Sequence, residues 1–85
     1  MIKAHETRRL LQDYDRYFRD VWLLSRQERT VAILLLQGLS NRQVAVRLGV
    51  GFETANKHID SIYRKGHVVG GRRGFFSHLL LNATI

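Results

Sequence analysis

The sequence has no cysteine and no proline among its 85 residues. Without cysteine there is no disulfide, no thiolate zinc site and no cysteine nucleophile, and the chain suits a reducing compartment. Without proline no backbone amide is removed and no φ is fixed, so a small chain of this composition leans all-α. Long apolar runs are missing too. The longest is Val31-Ala32-Ile33-Leu34-Leu35-Leu36, against the ~20 residues that a membrane span needs. The N-terminus, Met1 to Arg9, carries both charge signs with no apolar stretch behind it, which excludes a signal peptide. These absences predict a soluble cytoplasmic protein with no membrane partner.

Acidic residues are scarce. Seven Asp and Glu face 14 Lys and Arg, for a formal net charge of +7 and a pI near 10.9. Such a balance calls for an anionic partner, nucleic acid before any other. The imbalance lies in the second part of the chain. Beyond residue 29 the only acids are Glu53 and Asp60, against Arg42, Arg47, Lys57, Arg64, Lys65, Arg72 and Arg73. At 9.9 kDa the chain holds one domain, and at that size folding buries only roughly 60% of the unfolded surface.

The spacing predicts helices throughout. Leu10, Leu11, Tyr14, Phe18 and Val21 recur at helical period from near Glu6 to Trp22, with charges opposite. Ser25 and Glu28 stand three apart as a capping box, opening a helix that runs to Gln37 and stops at Gly38. Ser40 and Gln43 repeat that grammar, with Leu39 and Val44 as a hydrophobic staple, for a short helix ending at Leu48-Gly49. A third begins near Gly51 or Phe52 and continues to Lys65. A fourth runs from Gly74 to about Leu81 with Phe75, Phe76, Leu79 and Leu80. Gly70-Gly71 is the only soft spot. A capped short helix, a tight glycine turn and a second helix in a basic chain form the helix-turn-helix pattern.

In the helix near 52–65, Ala55, Ile59 and Ile62 fall within about 40° of one line, the buried face. Glu53, Lys57, Asp60 and Arg64 lie opposite, with Asn56 and Ser61 on the flanks. A polar helix face is more often merely solvated, but the capped helix and turn before it favour contact with base edges. Lys and Arg meet guanine O6 and N7, Asn pairs with adenine, and acids accept from cytosine N4. Arg42, in the first turn of the preceding helix, is placed to clamp a phosphate. Lys65, Arg72 and Arg73 either grip backbone or serve only as solubilising charge, and the sequence does not choose.

Residues 24 to 65 carry a family resemblance. Leu24-Ser25-Arg26-Gln27-Glu28-Arg29-Thr30-Val31, Gly38-Leu39-Ser40-Asn41-Arg42-Gln43-Val44-Ala45, Leu48-Gly49-Val50 and Thr54-Ala55-Asn56-Lys57-His58, with Ile62 and Lys65, resemble the LuxR-type (GerE-type) DNA-binding domain of bacterial transcriptional regulators. The likeness covers about half of the chain without a gap. It implies a four-helix helix-turn-helix domain over 23–85, preceded here by one amphipathic helix over 1–22. It also implies a third helix in the major groove and a homodimer joined through the fourth. Thr54 and His58 match the recognition-helix signature, Arg42 follows a matching Asn41, and Lys65 closes the helix; contacts to the DNA backbone are what these matches imply. The chain departs from the pattern at Gly51 for the usual serine cap, at Ala55 and Asn56 for valine and lysine, and at Gly66-His67 for Leu-Gly. One extra residue stands before Arg72. Ile33 replaces a usually polar residue, so the N-terminal helix is expected to cover it.

Catalysis finds no footing. His5, His58, His67 and His78 are scattered without a helical i,i+4 pair, so neither a metal nor a cofactor is expected. Gly70-Gly71-Arg72-Arg73-Gly74 lacks the lysine and hydroxyl of a nucleotide-binding loop. The 22 residues before the module hold neither a receiver nor a ligand domain, which predicts a stand-alone, nucleoid-associated regulator of double-stranded DNA. Its expected DNA-binding residues are Asn41, Arg42, Thr54, Asn56, Lys57, His58, Asp60, Arg64 and Lys65. A dimer or partner interface is expected at Phe75, Phe76, Leu79, Leu80, Leu11, Tyr14 and Phe18, the last three as a short heptad stripe. Glu53 and Asp60 on the groove face keep a second reading open: a module that pairs with RNA polymerase or another regulator rather than reading bases itself.

Overall fold

In the computed structural model, which describes residues 3–82, the chain forms five α-helices and no strand. They are α1 (Ala4–Asp20), α2 (Arg26–Leu36), α3 (Asn41–Leu48), α4 (Phe52–Lys65) and α5 (Gly71–Asn82). The all-α expectation holds, and the element order is the expected one.

Both capping boxes are present. The Glu28 amide donates to Ser25 Oγ at 3.1 Å while the Ser25 amide donates to Glu28 Oε1 at 2.8 Å. The Gln43 amide and the Ser40 amide make the same exchange at 3.1 and 2.8 Å. Each box satisfies two amides that a helix start leaves without partners, which is why α2 and α3 begin where they do. Gly49 closes α3 at φ +70°, a left-handed conformation that costs glycine little, and α4 starts three residues later.

α4 begins at Gly51 with no side-chain cap. The cap residue has φ −70° and ψ 159°, and a Cβ there would meet nothing within 4 Å. Gly51→Ser therefore supplies an acceptor for the Thr54 amide without strain. We expect a gain of about 0.3–0.5 kcal/mol, seen as a rise in melting temperature of about 1–4 °C.

The core draws on all five helices, with Phe18, Leu35, Val44, Ile59, Ile62 and Phe75 each at most 2% exposed. Phe18 stacks on Phe75 with ring centroids 6.1 Å apart, and Trp22 lies 5.0 Å from Phe18 and 5.9 Å from Phe75. Ring pairs of this kind add about 0.5–1.5 kcal/mol each beyond the area they bury. The N-terminal helix is thus fastened to α5, and it packs on α2 as well. Across a shallow cleft Leu11 and Arg16 of α1 face Ile33 of α2, and Asp15 pairs with Arg29 at 3.2 Å. Arg29 also donates to the Leu24 carbonyl at 3.0 Å. Ile33 is half-buried beside α1, at the floor of that cleft rather than sealed beneath the helix.

This packing divides the residues expected at an interface. Phe18, Phe75 and Leu79 are spent inside the chain's own core, because the two aromatic rings close on each other and on Trp22. Tyr14 and Leu11 are half-buried, Tyr14 against the core and Leu11 at the α1–α2 cleft. Of the residues expected at an interface, α5 still exposes Phe76, at 37%, and Leu80, at 82%, with Leu81 exposed beside them.

α1 stops at Asp20, two residues before the expected end, since Leu23 turns left-handed at φ +57° and the Leu24 amide closes on the Phe18 carbonyl at 3.0 Å. α5 starts three residues earlier than expected, at Gly71. The end of α4 gives Gly66 and His67 distinct roles. The Val68 amide reaches the Tyr63 carbonyl at 2.8 Å and the His67 amide the Arg64 carbonyl at 3.2 Å, a Schellman ending. His67 occupies its left-handed position at φ +54°. Gly66, just before it, lies under the Trp22 ring: a Cβ there would sit 2.6 Å from the indole.

Candidate nucleic-acid interface

α3 and α4 pack against each other across the turn at Gly49, and α2 backs α4. With Ala55, Ile59 and Ile62 buried, the opposite side of α4 stands in solvent, and Glu53, Thr54, Lys57, Asp60 and Arg64 are all exposed there. His58 and Asn56 are half-buried at the edges of that face. This is the arrangement that the apolar spacing predicted.

The first turn of α3 adjoins the start of α4. The guanidinium of exposed Arg42 sits over the Phe52 ring, 5.0 Å from its centroid. A cation over an aromatic face gains about 0.5–1 kcal/mol at an exposed site, so the contact orients the arginine without burying it. Phe52 escaped the sequence reading, because an aromatic at a helix start looks like core until its 43% exposure is seen.

Asn41 and Asn56 meet. Asn41 Nδ2 donates to Asn56 Oδ1 at 3.0 Å, joining α3 to α4. Behind them Arg72 of α5 donates from Nη2 to Asn41 Oδ1 at 3.0 Å and to the Leu39 carbonyl at 2.6 Å. Arg72 therefore takes neither role considered for it: it is turned inward, binding the turn between α2 and α3.

Lys65 is also engaged. Its ammonium lies 2.7 Å from Oε1 of Glu28, whose Oε2 accepts from Ser61 Oγ at 2.6 Å. Glu28 is 7% exposed. Burial by itself would push its carboxyl up, but the Lys65 ammonium, the Ser61 hydroxyl and the Ser25 amide outweigh it and hold the carboxyl at about 2 instead of 4.5. The N-terminus of α2 is thereby locked to the last two turns of α4. The sequence showed Glu28 only as a cap, since its partners Ser61 and Lys65 lie 33 and 37 positions away.

The whole helix-turn-helix lies inside a match, over residues 23–68, to the family model described as bacterial regulatory proteins, luxR family. The chain belongs to the LuxR family. Among curated relatives it is 42% identical over 62 residues to an Aeromonas salmonicida protein named "Putative HTH-type transcriptional regulator in exeN 3'region". That similarity covers 73% of this chain and 31% of the relative, so the chain spans about a third of the relative's length. No solved structure matches. As a LuxR-family domain the chain falls in a family of regulatory proteins, not of enzymes. Among the described residues no helix is long and apolar enough to cross a membrane, and no group of three His, Asp or Glu side chains could hold a metal.

Proposed function

We propose that this LuxR-family domain is a transcriptional regulator that binds specific sites in double-stranded DNA, with α4 in the major groove. Lys57, Arg64, Asp60 and Asn56 read base edges, while Arg42, Thr54 and His58 hold the phosphate backbone. The carrying observation is the single polar, long-chained face of α4, fully in solvent beside the phosphate-competent start of α3. In this reading Lys65 and Asn41 act chiefly behind the interface, Lys65 by closing on Glu28 and Asn41 by holding Asn56. The protein acts as a homodimer through the Phe76 and Leu80 side of α5.

The test is binding of a labelled mixed-sequence duplex over a range of salt, wild type beside Lys57→Ala/Arg64→Ala. The expected wild-type affinity falls steeply with salt, log K changing by about −0.9 per neutralised phosphate. The double variant should bind at least about ten-fold more weakly, since each lost base contact is worth about 1–3 kcal/mol. Absence of wild-type binding at low salt would defeat the proposal. It would favour the second reading, a module that pairs with RNA polymerase or another regulator, which exposed Leu80 and the acids Glu53 and Asp60 on the α4 face support.

A further inference from the structure

Three polar side chains on three helices form one hydrogen-bonded line through the helix-turn-helix. It runs from Arg72 on α5 to Asn41 at the start of α3 and on to Asn56 on α4, and all three side chains are half-buried. The line has a direction that its chemistry dictates. A guanidinium carries donors and no acceptor, so the Asn41 atom facing Arg72 has to be the oxygen. Its nitrogen is then left to face Asn56. An amide nitrogen also only donates, so Asn56 has to answer with its oxygen, and the observed bonds run this way, at 3.0 Å each. The Asn56 Nδ2, with two hydrogens, is turned away from the line. Rotating Asn56 by half a turn would set two donors against each other in a half-buried place, which is costly.

We infer that Arg72 is a specificity-determining positioning residue: acting through Asn41, it fixes Asn56 as a hydrogen-bond donor toward the base edges. The inference rests on the reading of α4 in the major groove. An unconstrained asparagine favours adenine, because it can donate to N7 and accept from N6 together. Here the oxygen is turned toward Asn41 and the Nδ2 is the atom left to present, so the favoured edges are those that only accept: guanine with O6 and N7, then thymine O4. Cytosine, which offers a donor at N4, is rejected at this position. Arg72 sets that choice without touching the base.

The experiment selects binding sites from a randomised duplex pool with the full chain, for wild type, Arg72→Met and Asn41→Asp, and measures the salt dependence of each. Wild type should select guanine or thymine over cytosine at one position. Arg72→Met frees both amides to rotate, so that preference should fall roughly five- to ten-fold while the salt slope stays unchanged. Asn41→Asp keeps an acceptor for Arg72 but removes the donor to Asn56, which must then rotate and present its oxygen. The preference at that position should invert toward cytosine or adenine, on top of a general loss of affinity from the added negative charge. Circular dichroism of each variant reports folding, and Asn41→Asp carries the test if Arg72→Met does not fold. A slope shallower by about 0.9 for Arg72→Met, with uniform weakening over all sequences, would make Arg72 a phosphate clamp and overturn the inference. So would unchanged base preference in Asn41→Asp. Failure of wild type to bind any duplex would sink the groove reading itself, an outcome distinct from binding with unaltered preference.

Discussion

Replacing Gly66 by alanine is expected to destabilise the protein by about 2–4 kcal/mol, far more than a helix-end glycine usually costs. The added methyl would lie 2.6–2.7 Å from three atoms of the Trp22 ring, and neither side can yield easily. The indole is 4% exposed and enclosed by Tyr17, Phe18 and Phe75, while the position-66 backbone is pinned by its amide bond to the Ile62 carbonyl at 2.9 Å. Overpacking of this kind costs about 1–3 kcal/mol, and expelling the indole would forfeit the roughly 3–5 kcal/mol that a buried tryptophan contributes. Chemical denaturation of Gly66→Ala, Trp22→Ala and the double variant separates the contact from the rest. In the Trp22→Ala background the Gly66→Ala change should become nearly neutral, the coupling expected of residues in contact. Additive losses would show that the two positions do not meet.

The second large effect is expected at Glu28. Glu28→Ala removes a cap acceptor, the partner of Ser61 and the counter-ion of Lys65 in one step, and should cost about 2–4 kcal/mol. Glu28→Gln, which keeps an acceptor for the Ser25 amide, should lose less. Its pH dependence carries a sign. Because the folded carboxyl titrates at about 2 and the ordinary value is 4.5, the folded state binds the proton less readily than the unfolded one. The stabilisation is complete above about pH 5 and is lost as pH falls from 4.5 toward 2. A carboxyl held that low corresponds to about 3 kcal/mol. The Lys65 side chain stands 42% open to solvent, which screens the pair and leaves about 1–2 kcal/mol to be measured. Urea midpoints between pH 2 and 7 should therefore fall more steeply on the acid side for wild type than for Glu28→Gln. Parallel curves would exclude the carboxylate as the cause.

The features legible in the sequence are those written in short-range chemistry. Ser25 with Glu28 and Ser40 with Gln43 announce their helices because both partners of each box lie within one turn. The two faces of α4 follow from period alone. Phe75-Phe76 and Leu79-Leu80 mark the other limit: they offer α5 two adjacent apolar stripes, and only the presence of Phe18 and Trp22 selects Phe75 and Leu79 for the core. Arg72 was undecidable for the same reason, as its acceptors lie 31 and 33 positions away in the turn before α3. The early end of α1 depends on the left-handed Leu23, a residue type that does not advertise such a conformation. On the candidate interface, the exposed polar set was readable residue by residue. What the sequence did not display is the support behind it, in which Glu28 and Arg72 hold Lys65 and Asn41 from the rear.

Trp22 is the only tryptophan in the chain, and its place gives the molecule a built-in optical gauge. The indole touches the end of α1, the glycine that closes α4 and the inner side of α5, yet lies away from the exposed face of α4. Its emission should be blue-shifted while α1 is docked and move to the red when that helix lifts. Duplex bound along Lys57 and Arg64 should leave the colour of the signal unchanged. Docking of the N-terminal helix and occupancy of the recognition surface can then be followed in one cuvette, the first by intrinsic emission and the second by a label on the duplex.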